Sequence, residues 1–179
     1  MAYIKVAEDR PGISSLLAYY TETAKPLTEL AQTLLRNEST LTRGERELIA
    51  SYVSTRNECV FCATSHGAAA THSEGMNAEI VSAVQRDYLT APVSDKMKAL
   101  LAIAGKVQES GKAVTPEDIE RARAAGATDK EIHDAVLIAA AFCMFNRYVD
   151  GLDTWEPGDP HMYDEMGKVL AAEGYIRKR

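Results

Sequence analysis

Two Thr-x-x-Glu boxes, Thr42 with Glu45 and Thr128 with Glu131, each stand before apolar residues spaced three and four apart. In such a box the threonine side chain accepts from the N–H three residues on, and the glutamate reaches back to the threonine's own N–H. Two of a helix's unpaired donors are satisfied at once. After the first box come Leu48, Ile49, Tyr52 and Val53; after the second come Ile132, Val136, Ala139, Cys143 and Val149, on a helix expected to reach Leu152. The rest of the chain reads the same way. Gly12 to about Arg36 is helical in two pieces, because Pro26 breaks or kinks a helix interior. Asn77 to Tyr88 is a shorter helix ending before Pro92. Ser94 to about Ser110 carries Met97, Leu100, Leu101, Ala104 and Val107 on one stripe and stops at Gly111. Thr115-Pro116-Glu117-Asp118 opens a helix that ends near Gly126. Asp153 to His161, with Pro157, Gly158 and Pro160, is a loop before a last helix around Met162 to Glu173. No run alternates with the period of a strand, so the expected fold is all-α.

The chain has 179 residues, 46% of them hydrophobic, enough for one domain over 1–179 with its own core. Its body is expected over about 10–154, with a helical extension over 155–179. With 26 acidic against 20 basic residues the net charge is −6 and no basic stripe with interleaved aromatics occurs, which argues against a nucleic-acid partner. The one basic cluster, Arg177-Lys178-Arg179, reads as a solvated tail. The first eleven residues carry charges of both signs where a signal peptide needs an apolar stretch. The longest apolar run, Ala135 to Phe145, falls well short of the roughly 20 residues that cross a bilayer. A cytoplasmic protein with no membrane contact is expected, and its three cysteines read as reduced thiols rather than a structural disulfide framework.

The chemistry concentrates in Cys59-Val-Phe-Cys62-Ala-Thr-Ser-His66, with Glu47 twelve residues before the first thiol. Asn57 and Glu58 interrupt the preceding helix, so a new one is expected to start at Cys59 and run through Ala70 to Gly75, with the CxxC in its first turn. Residues three and four apart share a helical face, which puts two sulfurs and an imidazole in one row. Thiol chemistry runs through the thiolate, and a helix N-terminus with an imidazole nearby favours that form. Cysteines at i and i+3 have β-carbons about 5–6 Å apart, close to what a disulfide needs. The pair is therefore able to cycle between dithiol and disulfide. A peroxide attacked by the more acidic thiolate yields a sulfenic acid, which the second thiol resolves with loss of water. His66 would orient or deprotonate a thiol, and Glu47 would fix its tautomer, the arrangement of nucleophile, base and orienting group.

At these residues the chain resembles the alkyl hydroperoxidase D (AhpD)-like proteins of the carboxymuconolactone decarboxylase superfamily. Their signature is a Glu, eleven residues, then CxxCxxxH, matched here by Glu47, Cys59, Cys62 and His66. Leu41-Thr-Arg-Gly-Glu-Arg-Glu-Leu-Ile-Ala50 before the motif and Phe145-Asn-Arg-Tyr-Val-Asp-Gly-Leu152 after it are similar to the peroxidase-related branch, and the likeness spans roughly Arg10 to Thr154. It implies an all-helical fold assembled as dimers, trimers or hexamers. It also implies a hydroperoxide substrate, no bound cofactor, and an external thiol reductant such as a lipoyl or thioredoxin-like protein. Carried onto this sequence, Cys62 becomes the sulfenic acid, Cys59 is the proton donor and resolving thiol, and Glu47 with His66 forms the proton relay. One position departs from the best-known peroxidases of the family, where a histidine precedes the second cysteine: here that residue is Phe61.

Other readings compete for the same residues. Cys59, Cys62 and His66 form a set of zinc-ligand types, with Glu47 or His72 as a fourth; a dithiol that switches an interface would make a non-enzymatic redox sensor; and two small buried residues beside a surface histidine is the bland case. The superfamily's lactone decarboxylases typically lack the CxxC, which disfavours that activity. Elsewhere, Cys143 reads as a core cysteine, and Asn146, Arg147 and Asp150 read first as a buried polar network or helix-end ion pair. His72 and His133 are expected at the periphery. His161 lies in the Pro/Gly loop, and Trp155 and Tyr163 anchor that loop by packing.

Overall fold

The computed structural model describes residues 2–176, and the Arg177-Lys178-Arg179 cluster lies outside the described residues. Among the described residues there are nine α-helices, one short 3-10 turn and no strand: α1 Gly12–Tyr19, α2 Thr21–Arg36, α3 Arg43–Arg56, α4 Val60–Thr71, α5 Ala78–Asp87, α6 Asp95–Glu109, the turn Gly111–Ala113, α7 Pro116–Ala124, α8 Asp129–Asp150 and α9 Pro160–Glu173. The all-α fold expected from the sequence is the fold observed. Both Thr/Glu boxes cap their helices with each bond in place, and Asp118 closes a third with Thr115.

Several boundaries differ from the sequence reading, among them the end of α8, which stops at Asp150 instead of Leu152. The break in the first helical stretch falls at Tyr20, and Pro26 lies inside α2. Its missing N–H frees only the carbonyl of Glu22, on an exposed turn where water can take the bond. Helix α4 begins one residue after Cys59, which is its extended N-cap at ψ 94, and ends at Thr71 instead of Gly75. The last helix starts at Pro160, with Asp159 accepting from the His161 N–H and proline at the first helical position.

Helices α2, α3, α6 and α8 enclose the main core, with Leu35, Leu48, Ile49, Leu100, Leu101, Ile103, Ile138 and Phe142 at its centre. Each such side chain contributes about 1.5–3 kcal/mol on leaving water. Helix α8 is long and apolar enough to span a bilayer by length and composition alone, yet 61% of its most apolar window is buried against the neighbouring helices.

Helix α4 lies between α3 and α9. Gly167 of α9 is the contact that allows this: a β-carbon there would sit 2.6 Å from the Ala68 carbonyl carbon. At the other end of α4, Gly12 at φ +51 faces the ring of Phe61, which a β-carbon would approach to 2.2 Å. These two approaches seat α4 under α9 and beside α1, and create a second, smaller apolar cluster. It holds Cys59, Phe61, Cys62, Val149 and Tyr163, with Ile13 and Met166 packed against it.

Candidate functional site

The turn between α3 and α4 places the first thiol. Glu58 takes a left-handed φ of 60, a conformation a non-glycine residue adopts at some cost, and the Cys59 N–H then donates to the Ser54 carbonyl at 3.1 Å. A buried polar network holds this turn from the opposite side. The Asn57 amide donates to Asn146 Oδ1 at 2.8 Å and to Cys143 Sγ at 3.6 Å, Asn146 donates to Ser54 Oγ at 3.0 Å, and Gln108 donates to Asn57 Oδ1 at 2.9 Å. Asn146 is therefore the buried network residue the sequence reading favoured, and Cys143 is a core cysteine with one weak donor.

Both motif sulfurs are buried and unbridged, and they belong to the same cluster. Cys62 is the third residue of α4, where free backbone N–H groups and the helix dipole favour an anion. The Cys62 sulfur alongside, then burial, and then Asp150 push the Cys59 thiol well above the ordinary cysteine range, so Cys59 stays protonated.

One turn along α4, His66 turns Nδ1 to Glu47 Oε2 at 2.7 Å. Glu47 is fully buried, on the face of α3 that packs against α4, and three donors meet on its carboxylate. Besides His66, Arg36 Nη2 reaches Oε1 at 2.6 Å and the Tyr175 hydroxyl donates to Oε1 at 2.7 Å. Burial alone would raise the Glu47 carboxyl, but His66, Arg36 and Tyr175 outweigh it and hold Glu47 below its ordinary value. With Nδ1–H donated to the carboxylate, the tautomer assigned from these partners leaves Nε2 as the basic nitrogen. The edge of Phe142, 4.5 Å from the His66 ring centroid, fixes the ring plane.

Glu47 and His66 are thus brought into direct contact, and Cys59 and Cys62 into one cluster. The hydrogen bonds His66 makes go to Glu47 and Tyr175, at 2.7 and 3.2 Å, and neither sulfur is among its partners. Among the described residues no three His, Cys, Asp or Glu side chains converge as a metal site would require, which counts against the zinc alternative. His72 is tied to Asp164 of α9 at 2.6 Å, and His133 is exposed beside Asp134. His161 lies exposed in the first turn of α9.

Residues 21–106 match the carboxymuconolactone decarboxylase family, a span that includes Glu47 and the whole CxxCxxxH. The fold superposes on a peroxidase-related protein with an alkylhydroperoxidase AhpD core from Ralstonia eutropha JMP134 (TM-score 0.78, 28% identity, covering 89% of this chain and 82% of that one). The chain thus has the fold of AhpD-like proteins, and its residues 21–106 are similar in sequence to the carboxymuconolactone decarboxylase family. A peroxidase-related protein from Silicibacter sp. TM1040 matches this chain at TM-score 0.77 and 27% identity, over 84% of this chain and 78% of that one. A protein of unknown function from Agrobacterium tumefaciens shares the fold at TM-score 0.68 and 22% identity, over 80% and 97%. No curated protein matches the sequence.

In this site the sequence reading missed Arg36 and Tyr175. Arg36 ends α2 and is buried, with Nη2 also donating to the Leu170 carbonyl of α9 at 2.9 Å. Tyr175 follows α9: Gly174 makes the turn at φ +76, and the Tyr175 N–H donates to Gln32 Oε1 at 2.8 Å. Its ring lies under the Arg36 guanidinium, 5.1 Å from the centroid. No local pattern in the sequence marked either residue as part of the site.

Proposed function

We propose that this chain is a thiol-dependent peroxidase that reduces hydroperoxides through Cys59 and Cys62 and is returned to the dithiol by an external thiol. The observation that carries the reading is the buried Glu47–His66 contact one helical turn from the CxxC. A carboxylate bound to one imidazole nitrogen makes the other a better base, which a thiol nucleophile needs and a packing cysteine does not.

In this reading His66 takes the Cys62 proton through a bridging water, since neither sulfur is among its hydrogen-bond partners. The Cys62 thiolate attacks one peroxide oxygen; the O–O bond breaks, an S–O bond forms, and the departing alkoxide or hydroxide takes up a proton from the relay. The Cys59 thiol, held protonated, then attacks the sulfenic sulfur. An S–S bond forms, the S–O bond breaks, and the hydroxide leaves as water with the Cys59 proton. A dithiol such as a dihydrolipoyl group or a thioredoxin-like protein returns two electrons and two protons. The same cycle without peroxide would be disulfide exchange with those partners.

The test is peroxide consumption with dithiothreitol or dihydrolipoamide as donor, with mass spectrometry of the peptide holding both cysteines. Sustained turnover that Cys62→Ser abolishes is the expected result. Stoichiometric oxidation without turnover would make the chain a redox sensor instead. We also propose a homo-oligomer: Leu137, Ala140 and Met144 of α8 share one face and are all exposed, the kind of apolar stripe a second copy covers. Light scattering on the purified chain would decide it, a monomer at micromolar concentration overturning the idea.

A further inference from the structure

The small cluster around the two sulfurs contains one polar side-chain atom that makes no bond. The hydroxyl of Tyr163 is buried and has no hydrogen-bond partner, while its ring packs in the cluster that holds Cys59, Cys62, Phe61 and Val149. The ring is tilted against Phe61 with centroids 6.1 Å apart. A loop anchor would have its hydroxyl in water or on a carbonyl, because a buried donor without a partner is costly and native structures rarely keep one. The cost disappears if the partner is a species the resting site does not hold.

Resting thiols are poor acceptors; a thiolate is a good one. The apolar residues of the cluster, Ile13, Phe61, Val149 and Met166, have no side-chain donor to offer a sulfur anion. We propose that Tyr163 is a further residue of the sulfur site, whose hydroxyl donates a hydrogen bond to the Cys62 thiolate and holds the charge that forms there. This rests on the assignment of Cys62 as the nucleophile. It adds a second support to the thiolate, on the side of the sulfur that belongs to α9, while the first turn of α4 supplies the other.

The chemistry of the phenol suits the role. Burial, and then Glu156 and the sulfurs of Cys59 and Cys62, push its pKa up to about 12, so at neutral pH the hydroxyl keeps its proton and has it to donate to an anion. No covalent bond is made or broken in the tyrosine; the Cys62 proton leaves toward His66 or solvent, and the phenol, which is not hydrogen-bonded to either sulfur at rest, closes on the anion. Tyr163 is the fourth residue of α9, and its position is set by the Asp159 cap below it and the Gly167–Ala68 approach above it. The other ionisable groups around the sulfurs are Cys59 at the α4 cap, Asp150 at the end of α8, Glu156 in the preceding loop and His66 farther along α4.

The test is the pH dependence of iodoacetamide alkylation of Cys62, followed by mass spectrometry in a Cys59→Ser background so that one motif thiol reacts. Tyr163→Phe keeps the ring and removes the oxygen. The expected result is a midpoint shifted upward by about one pH unit, a tenfold smaller thiolate fraction below it. A purely structural tyrosine predicts the opposite pattern: the midpoint stays, and thermal stability rises because an unpaired buried hydroxyl is gone. That outcome would overturn the proposal. Trp155→Phe serves as the control, since Trp155 Nε1 is likewise buried and unpartnered but its ring is outside the sulfur cluster; an equal shift there would also overturn it, by showing that any change in this region moves the thiol. Alkylation requires no peroxide. A shifted midpoint in a protein that consumes no peroxide would retain Tyr163 and sink the peroxidase reading; turnover with an unmoved midpoint would do the reverse.

Discussion

Around Glu47 three donors from three different elements converge on one carboxylate, whereas around Cys59 and Cys62 the packing is mostly apolar, with Asp150 beside Cys59, and a phenol hydroxyl goes unused. The two regions adjoin on α4, yet they are built for different duties. Glu47 carries a permanent charge, and a buried charge persists only when it is paired and hydrogen-bonded. Cys59 is held protonated, and a sulfur needs support only when it ionises, so a donor held in reserve costs less than a fixed cation beside the pair. The carboxylate end of the site is over-determined, and the thiol end is left free to change state.

The comparison breaks most readily at Glu47. In Glu47→Gln the Arg36 guanidinium, only 3% exposed, stays buried without its counter-charge. Breaking a buried pair in this way costs about 3–5 kcal/mol. Loss of the relay should lower peroxidase turnover about 100-fold, within the range of a general acid–base contribution. Chemical denaturation and steady-state kinetics on the same sample check both. A variant with wild-type rate would detach the carboxylate from the chemistry and leave it a structural ion pair.

A smaller effect follows from acid. The folded Glu47 carboxyl is held below its unfolded value of about 4.3, so its contribution to stability is fully present above that value. It is lost as pH falls through the lower, folded value. Thermal midpoints of the wild type should hold between neutrality and about pH 5 and then fall. Glu47→Gln should start lower and fall less over the same acid range. Other carboxylates held low contribute to the acid limb of both proteins, Asp118 beside Lys106 among them, so the difference between the two curves is the measure. Parallel curves would mean that Glu47 gains nothing from its partners.

How much of this could be read from residues alone follows the same division. The helices were legible because their signals are local: Thr42/Glu45 and Thr128/Glu131 cap what they predict. The pairing of Glu47 with His66 was legible as a spacing, because α3, a short turn and α4 fix how far apart the two can lie. Pro26 misled because the sequence does not say which carbonyl it leaves free, and an exposed one does no harm. Arg36, Tyr163 and Tyr175 were not legible as site residues. They arrive from α2, α9 and the segment after α9, and only the packing of α9 on α4, permitted by Gly167, brings the two tyrosines to the site. Tyr163 was read as a loop anchor because nothing in the Pro/Gly segment points toward the sulfurs.

The finest test of the comparison concerns Tyr175, where strap and relay predict different things. In Tyr175→Phe the ring keeps its place under Arg36, and Gln32 still accepts from the backbone N–H. Only the 2.7 Å bond to Glu47 Oε1 is lost, with Arg36 still on the same oxygen. A hydrogen bond to a charged group contributes about 1.5–3 kcal/mol, so a drop in stability of that order is expected from either role. The relay adds a second consequence. That bond stabilises the ionised carboxylate, so losing it raises the Glu47 pKa and moves the acid limb of kcat/KM to higher pH, while turnover at neutral pH falls only a few-fold. A strap would lower stability and leave the limb where it was. A moved limb places Tyr175 with Arg36 and His66, as the third donor that keeps Glu47 charged while the sulfurs change state.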